Sequence, residues 1–249
     1  MCLALSKLLG TEVNGLITTS YADLASALER DRVQYAWMSP ALLVLTSERT
    51  MLQPLLSAIR GDRNDYCSAL FVHAYGPSSL AALRGKRVAW VDRASAAGYL
   101  VPRIHLAARG IDPSTLFSEE MFMGSHADVV RTVLSGRADV GAMYAEQPAT
   151  DMSIRRAGFI DVAPDRAVRV LEWTQAIPND VIVGHGLIAR TEHRVFGNAR
   201  LTLAEREDGR RLLYNTFHTD RFISTPRHAL KPLSSLVELA RAHGLLNQL

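Results

Sequence analysis

Residues 85–110 read GKRVAWVDRASAAGYLVPRIHLAARG. Arg87 to Val91 form a short apolar run behind a basic start, which predicts a buried strand. Asp92, Arg93, Ala94 and Ser95 break the run. From Ala96 onward, Leu100, Ile104 and Ala107 recur at helical spacing, and Gly110 stops the pattern. Ser95 stands where an N-cap belongs. The amides of Ala96, Ala97 and Gly98 would then leave the helix start with no internal partner. Free amides and the helix dipole together make an anion site, and side chains this small let a ligand approach the backbone. A capped helix in any α/β domain has the same local pattern, so the turn alone leaves both readings open.

On either side, strand-like and helix-like segments alternate. Strands are predicted over 13–19, 33–37, 52–58, 67–74, 116–123, 138–143, 168–174 and 181–189. Helices are predicted to end at Gly10, to run over 21–30 behind Ser20, and to open at Ser39-Pro40. Further helices are expected over 127–134 after the turn Gly124-Ser125-His126, and over 148–157, 203–217 and 232–246. This alternation predicts mostly parallel sheets covered by helices on both faces. Two turn-rich places, near Gly76-Pro77-Ser78-Ser79 and Ala176-Ile177-Pro178-Asn179-Asp180, suit chain crossings. The expected organisation is lobe one over 1–75 plus 182–249, with lobe two over 76–181 inserted into it.

The chain has 249 residues, 48% hydrophobic and 21% charged, the composition of an ordinary globular protein. Its net charge of +3, from 28 basic and 25 acidic residues, is too small to argue for nucleic acid or a membrane surface. No apolar run is long enough for a membrane span. The start, MCLALSKLLGTEV, lacks the basic region and small-residue cleavage pattern of a signal peptide. Cys2 and Cys67 read as free, inert thiols, and no metal or cofactor cluster is visible. The histidines His73, His105, His126 and His185 show no ligand-like spacing, and no Ser–His–Asp pattern stands out, so no catalytic residues are assigned.

A weak internal repeat aligns residues 23–38 (DLASALERDRVQYAWM) with 128–143 (DVVRTVLSGRADVGAM) without gaps. Each copy reads acid, helix, turn, arginine, then a strand ending in methionine. If the two copies sit in separate lobes, their strand ends face a shared ligand cleft, since ligands in open α/β sheets bind beyond the carboxyl ends of strands. Chance likeness between two helix–strand units competes with this reading.

In order and spacing, several short pieces resemble one family. They are Ser20-Tyr21-Ala22-Asp23, Tyr35-Ala36-Trp37, Asp65-Tyr66-Cys67-Ser68, Leu83-Arg84-Gly85-Lys86-Arg87-Val88 and Asp92 through Pro102. Gly124-Ser125-His126, Gly136 through Ala142 and Ile177-Pro178-Asn179-Asp180 complete the set. The chain is similar over much of 3–190 to the periplasmic substrate-binding proteins of phosphonate, phosphite and phosphate ABC transporters. The resemblance implies the two-lobed type II periplasmic-binding fold, α/β, with a ligand cleft between lobes. It implies a small anionic or zwitterionic ligand, an ABC permease as partner and an extracytoplasmic place. The lack of a signal peptide leaves a cytoplasmic place open, and nothing speaks to oligomeric state.

By the same resemblance, the loop at Ser95, Ala96, Ala97 and Gly98 holds the ligand's oxyanion. Tyr21 and Tyr66 line the cleft, and His126 reaches the anion. Glu146 and Asp180 match carboxylates that meet a ligand's amino group. The family's loop usually reads Ser-Thr-Ser-Gly. Here Ala96 and Ala97 remove two hydroxyl donors, each worth about 1.5–3 kcal/mol toward a charged ligand, so weaker oxyanion binding is expected. The family also carries a leader and a strand ahead of the helix ending at Gly10; the expectation is that the recorded start lies downstream of both. A sensor domain or a biosynthetic enzyme on the same fold is the alternative function.

Overall fold

The computed structural model describes residues 1–146, 156–163, 168–226, 231–242 and 244. Helices α1 (Cys2–Leu9) and α2 (Tyr21–Glu29) precede strand β1 (Tyr35–Met38), helix α3 (Pro40–Thr46) and strands β2 (Leu52–Ile59) and β3 (Asp65–His73). Strand β4 (Arg87–Trp90) leads through a wide turn, Ala96–Leu100, into α4 (Val101–Ala108). Then follow α5 (Pro113–Leu116), β5 (Glu119–Phe122), α6 (His126–Leu134) and β6 (Val140–Ala145). The remainder is α7 (Gly158–Val162), β7 (Val168–Trp173), β8 (Ile177–Pro178), β9 (Val181–His185), α8 (Arg190–Glu205), α9 (Glu207–Phe217), β10 (Arg221–Ser224) and α10 (Lys231–Ala242). None of these helices is long and apolar enough to cross a membrane.

The chain divides into two compact units. The first holds Met1–Asp65 and Pro178–Lys231, the second Tyr66–Ile177 and the chain from Pro232 on. Unit 1 is built on a four-stranded sheet in the order β1-β9-β2-β10. Leu5, Leu56, Ile182, Phe196, Leu203 and Phe222 fill its core. Unit 2 carries a six-stranded sheet, β5-β4-β6-β3-β7 with β8 beside β3. Its core is made by residues such as Phe71, Ala89, Val129, Val133 and Met143.

Several features differ from the sequence reading. First, β3 belongs to the second sheet. It pairs antiparallel with β6 and β7, so the chain crosses at Asp65 rather than near Gly76, and the last helix groups with unit 2. Ala69 through Val72 are buried without exception, and only a strand flanked on both edges and covered on both faces hides such a run. Second, unit 1 is not parallel: β1, β2 and β10 each run antiparallel to their neighbours. Unit 2 is mixed: β4 runs parallel to β5 and β6, while β3 runs antiparallel to β6 and β7. Third, residues 13–19 form no strand. No described strand lies alongside to take their backbone groups; Val13 donates its N–H to Ser6 Oγ instead, and Ile17 is 95% exposed. The helix read over 203–217 is two helices. Arg206 between them is extended, and a Cβ at Gly209 would fall 1.7 Å from the Leu203 carbonyl oxygen, so only glycine fits that close approach. The helix expected over 148–157 lies mostly outside the described residues.

The internal repeat is present in three dimensions and reaches further than the alignment. Ser20 caps α2 by accepting the Asp23 N–H, and Ser125 caps α6 by accepting the Asp128 N–H. At the far ends, Arg32 donates its N–H to Ala27 and Arg137 donates to Thr132, the same closing bond five residues back. The residue before each is left-handed, Asp31 at φ 57° and Gly136 at φ 73°. Tyr21 and His126, the first residues of the two helices, are therefore equivalent positions.

Candidate functional site

In unit 2 the candidates collect at one edge of the sheet. Val91, just past β4, organises that edge. Its N–H donates to the Gly98 carbonyl at 3.1 Å, and its carbonyl accepts the Gly124 N–H at 2.9 Å. One residue thus anchors both the start of the helical run from Ala96 and the turn that opens α6. A Cβ on Gly98 would sit 2.4 Å from Val91 Cγ2, so this packing requires glycine.

Ser95 caps the run, its Oγ accepting the Gly98 N–H at 3.1 Å. Its carbonyl accepts from Leu100, five residues on, which makes a wide first turn of the kind that recurs at functional sites. The sequence reading of three free amides is thereby reduced to those of Ala96 and Ala97, which have no intrahelical acceptor. Ser95, Ala96 and Ala97 are each about 2% exposed or less. Behind them Ser68, on β3, donates its hydroxyl to the Ala97 carbonyl at 2.6 Å. Thr174 in turn accepts the Ser68 N–H and donates its own N–H to Ser68, fixing that hydroxyl's strand. Ser68 and Thr174 were not singled out by sequence reasoning; the only local signal was Ser68 inside the quoted Asp65-Tyr66-Cys67-Ser68.

His126 opens α6 behind the Ser125 cap. Its ring meets Tyr144 edge-on, centroids 4.9 Å apart. The residue is half-buried, but Nδ1 sees no solvent and has no hydrogen-bond partner among the described residues. Desolvation pushes its pKa down to about 4, so the imidazole is neutral near pH 7. Glu146 lies one residue beyond β6, and its backbone N–H donates to Arg156. The pairing of Cys67 with Ala145 puts Tyr66 beside Glu146 at the same edge. Tyr66, Ser95, Ala96, Ala97, Gly98, His126 and Glu146 thus share one sheet edge of unit 2.

Unit 1 carries Tyr21 and Asp180. Tyr21 is the first residue of α2, half-buried. Asp180, expected to meet a ligand's amino group, accepts at Oδ2 from Arg60 Nη2 at 2.5 Å. Arg60 also donates to the Asn179 side chain and to the His218 carbonyl. Asn179, buried, donates to the carbonyls of Ala58 and Arg63. This network holds the returning chain to β2, and Asp180 is one of its struts. Neither Cys2 nor Cys67 is in a disulfide, the Cys67 thiol donates to the Ala145 carbonyl, and among the described residues no group of three or more His, Cys, Asp or Glu gathers as metal ligands.

Two α/β units, with helix starts gathered at a sheet edge, define a type II periplasmic-binding fold. Solved structures share it. The chain is 18% identical to a binding-protein component of an ABC phosphonate transporter from Pseudomonas aeruginosa, covering 99% of this chain and 82% of that one, with TM-score 0.83. PhnD1 of Prochlorococcus marinus, in complex with methylphosphonate, gives TM-score 0.78 at 18% identity over 100% and 91% of the two chains. A Xanthomonas citri protein bound to ATP gives 0.77 at 23% identity over 97% and 91%. The model of the family described as ABC transporter, phosphonate, periplasmic substrate-binding protein matches residues 2–229, and the chain belongs to that family.

Proposed function

We propose that the protein captures a small phosphonate-like oxyanion outside the cytoplasm and passes it to an ABC permease. The observation that carries this reading is the pair of helix starts hung on Val91, with Nδ1 of His126 shielded and unpartnered beside them. The amides of Ala96 and Ala97, the Ser95 hydroxyl and the His126 ring supply donors to the oxyanion, aided by the helix dipoles. Tyr66 and Glu146, at the same edge, face the rest of the ligand, and Glu146 suits an amino group. Tyr21 is the candidate contact on unit 1, and Asp180 serves by holding Arg60. The two alanines and the Gly98 amide taken by Ser95 leave fewer donors than a hydroxyl-rich loop, so affinity is modest. The protein has no chemistry of its own to perform on the ligand.

Calorimetric titration with methylphosphonate and 2-aminoethylphosphonate tests the reading, for the parent and for Ser95→Ala, His126→Ala and Glu146→Gln. Ser95→Ala and His126→Ala should weaken both ligands about tenfold or more, since each removes a hydrogen bond to a charged group. Glu146→Gln should weaken only the amino-bearing one. Binding unchanged by Ser95→Ala and His126→Ala together, or conversion of the ligand during prolonged incubation, is the contrary outcome.

A further inference from the structure

Pro102 removes a donor from two carbonyls at the start of the helical run from Ala96. The wide turn there is built from bonds five residues back: Leu100 donates its N–H to the Ser95 carbonyl, and Val101 donates to Ala96. The next bond of that series would run from residue 102 to the Ala97 carbonyl, and proline has no N–H to give. A bond four residues back from 102, to Gly98, is excluded for the same reason. The sheet supplies both replacements. Val91, just past β4, donates its N–H to the Gly98 carbonyl at 3.1 Å. Ser68, on β3, donates its hydroxyl to the Ala97 carbonyl at 2.6 Å. Ser68 is fully buried. Its N–H donates to Thr174 Oγ1 and its carbonyl accepts the Thr174 N–H, each at 2.9 Å, so the backbone that carries the hydroxyl is held at both polar groups.

The Ala97 carbonyl shares a peptide group with the Gly98 N–H, and that N–H donates to Ser95 Oγ at 3.1 Å. The bonds therefore form a relay, from the Ser68 hydroxyl through the Ala97–Gly98 peptide to Ser95. In a buried place each bond of such a series polarises the next. A serine hydroxyl has one proton and two acceptor lone pairs. Ser95 Oγ uses a lone pair on Gly98, which leaves its proton for a ligand. Ser95 is the one hydroxyl in the loop Ser95-Ala96-Ala97-Gly98, so the direction of that proton matters more here than in a loop with three.

We infer that Ser68 is a positioning residue for oxyanion capture: it stands in for the N–H that Pro102 lacks, fixes the Ala97–Gly98 peptide and, through it, directs the Ser95 proton to the ligand. The inference deepens the oxyanion-capture reading above and rests on it. Ser68 acts through Ala97, Gly98 and Ser95, without touching the ligand itself.

The test is calorimetric titration of the full chain with methylphosphonate, for the parent, Ser68→Ala, Ser95→Ala, Ser68→Ala with Ser95→Ala, and Ser68→Ala with Pro102→Ala. Thermal melting and the amide spectrum of each variant accompany it. Ser68→Ala should weaken binding about three- to tenfold, the worth of one hydrogen bond, and move the Gly98 amide nitrogen upfield as its peptide loses polarisation. On the Ser95→Ala background the same change should cost under about twofold, because the relay no longer ends in a donor. Pro102→Ala returns an N–H to the series and should recover most of the affinity that Ser68→Ala loses. Should Ser68→Ala not fold, Ser68→Cys, of similar volume and with a weaker donor, takes its place in the same comparisons. Unchanged affinity in the folded Ser68 variant, equal fold-losses with and without Ser95, or no recovery from Pro102→Ala overturns the assignment and leaves oxyanion capture standing. No binding of methylphosphonate by the parent overturns the capture reading and this inference with it.

Discussion

Acidification is the sharpest probe of His126. The ordinary histidine pKa is near 6.5, and burial holds this one at about 4. The unfolded chain takes up a proton below the ordinary value, whereas the folded chain refuses it until the lower one. The native state is therefore fully favoured above about pH 6.5. It loses stability as pH falls from there to about 4, and loses no more from this group below that. The gap corresponds to about 3 kcal/mol at the acid end. Other groups titrate in the same range; Asp128 and Asp139, held low by hydrogen bonds from Ser125 and Arg87, lose their native advantage on acidification too. The comparison that isolates His126 is the parent against His126→Gln, each unfolded in urea at steps from about pH 7.5 to about pH 4. The variant should keep about 3 kcal/mol more of its neutral-pH stability at the acid end, and imidazole resonances of the parent should show a histidine titrating near 4. Parallel stability profiles for the two proteins, with every histidine titrating near 6.5, would refute the claim that this ring sits desolvated and uncharged.

Three further outcomes follow from the packing. Gly98→Ala should cost about 1–3 kcal/mol and shift the helix start off Val91, lowering ligand affinity with it; adding Val91→Ala should restore part of both, read by thermal melting and titration. Arg200 is buried between Phe196 and Phe217, its Nε and Nη1 have no hydrogen-bond partner among the described residues, and desolvation pulls its pKa down to about 10. Arg200→Met should therefore raise the free energy of unfolding by about 1 kcal/mol or more, read as a higher urea midpoint, and a fall instead would mean that the guanidinium has a partner of value. Asp180→Asn should destabilise unit 1 by about 1–3 kcal/mol through Arg60, in a pair with both side chains less than a quarter exposed, while changing the affinity for an oxyanion little.

What could be read from the chain alone was whatever its near neighbours enforce. Ser20 with Asp23 and Ser125 with Asp128 sit three residues apart, so each helix start is written into a few consecutive letters. The strand–turn–helix at 87–108, the Ser95 cap and the glycine at 98 are equally local, and the ordered short motifs carried the family. The helix–strand repeat was visible for the same reason, although only the coordinates extended it back to the Ser20 and Ser125 caps and showed the matching left-handed closures at Asp31 and Gly136.

Strand pairing and charge state were not legible, because both depend on partners far along the chain. Nothing near residue 70 announces that β3 will lie between β6 and β7, and nothing near 13–19 announces that no strand will lie beside it. An apolar strand pattern specifies a buried face, not the neighbour or the direction that will satisfy its backbone. The pairing of Asp180 with Arg60, 120 residues earlier, was likewise not legible in the sequence. His126 was legible as a candidate, and its neutrality was not: that comes from the Tyr144 ring and the sheet edge closing over Nδ1, a desolvation that exists only once the chain has folded.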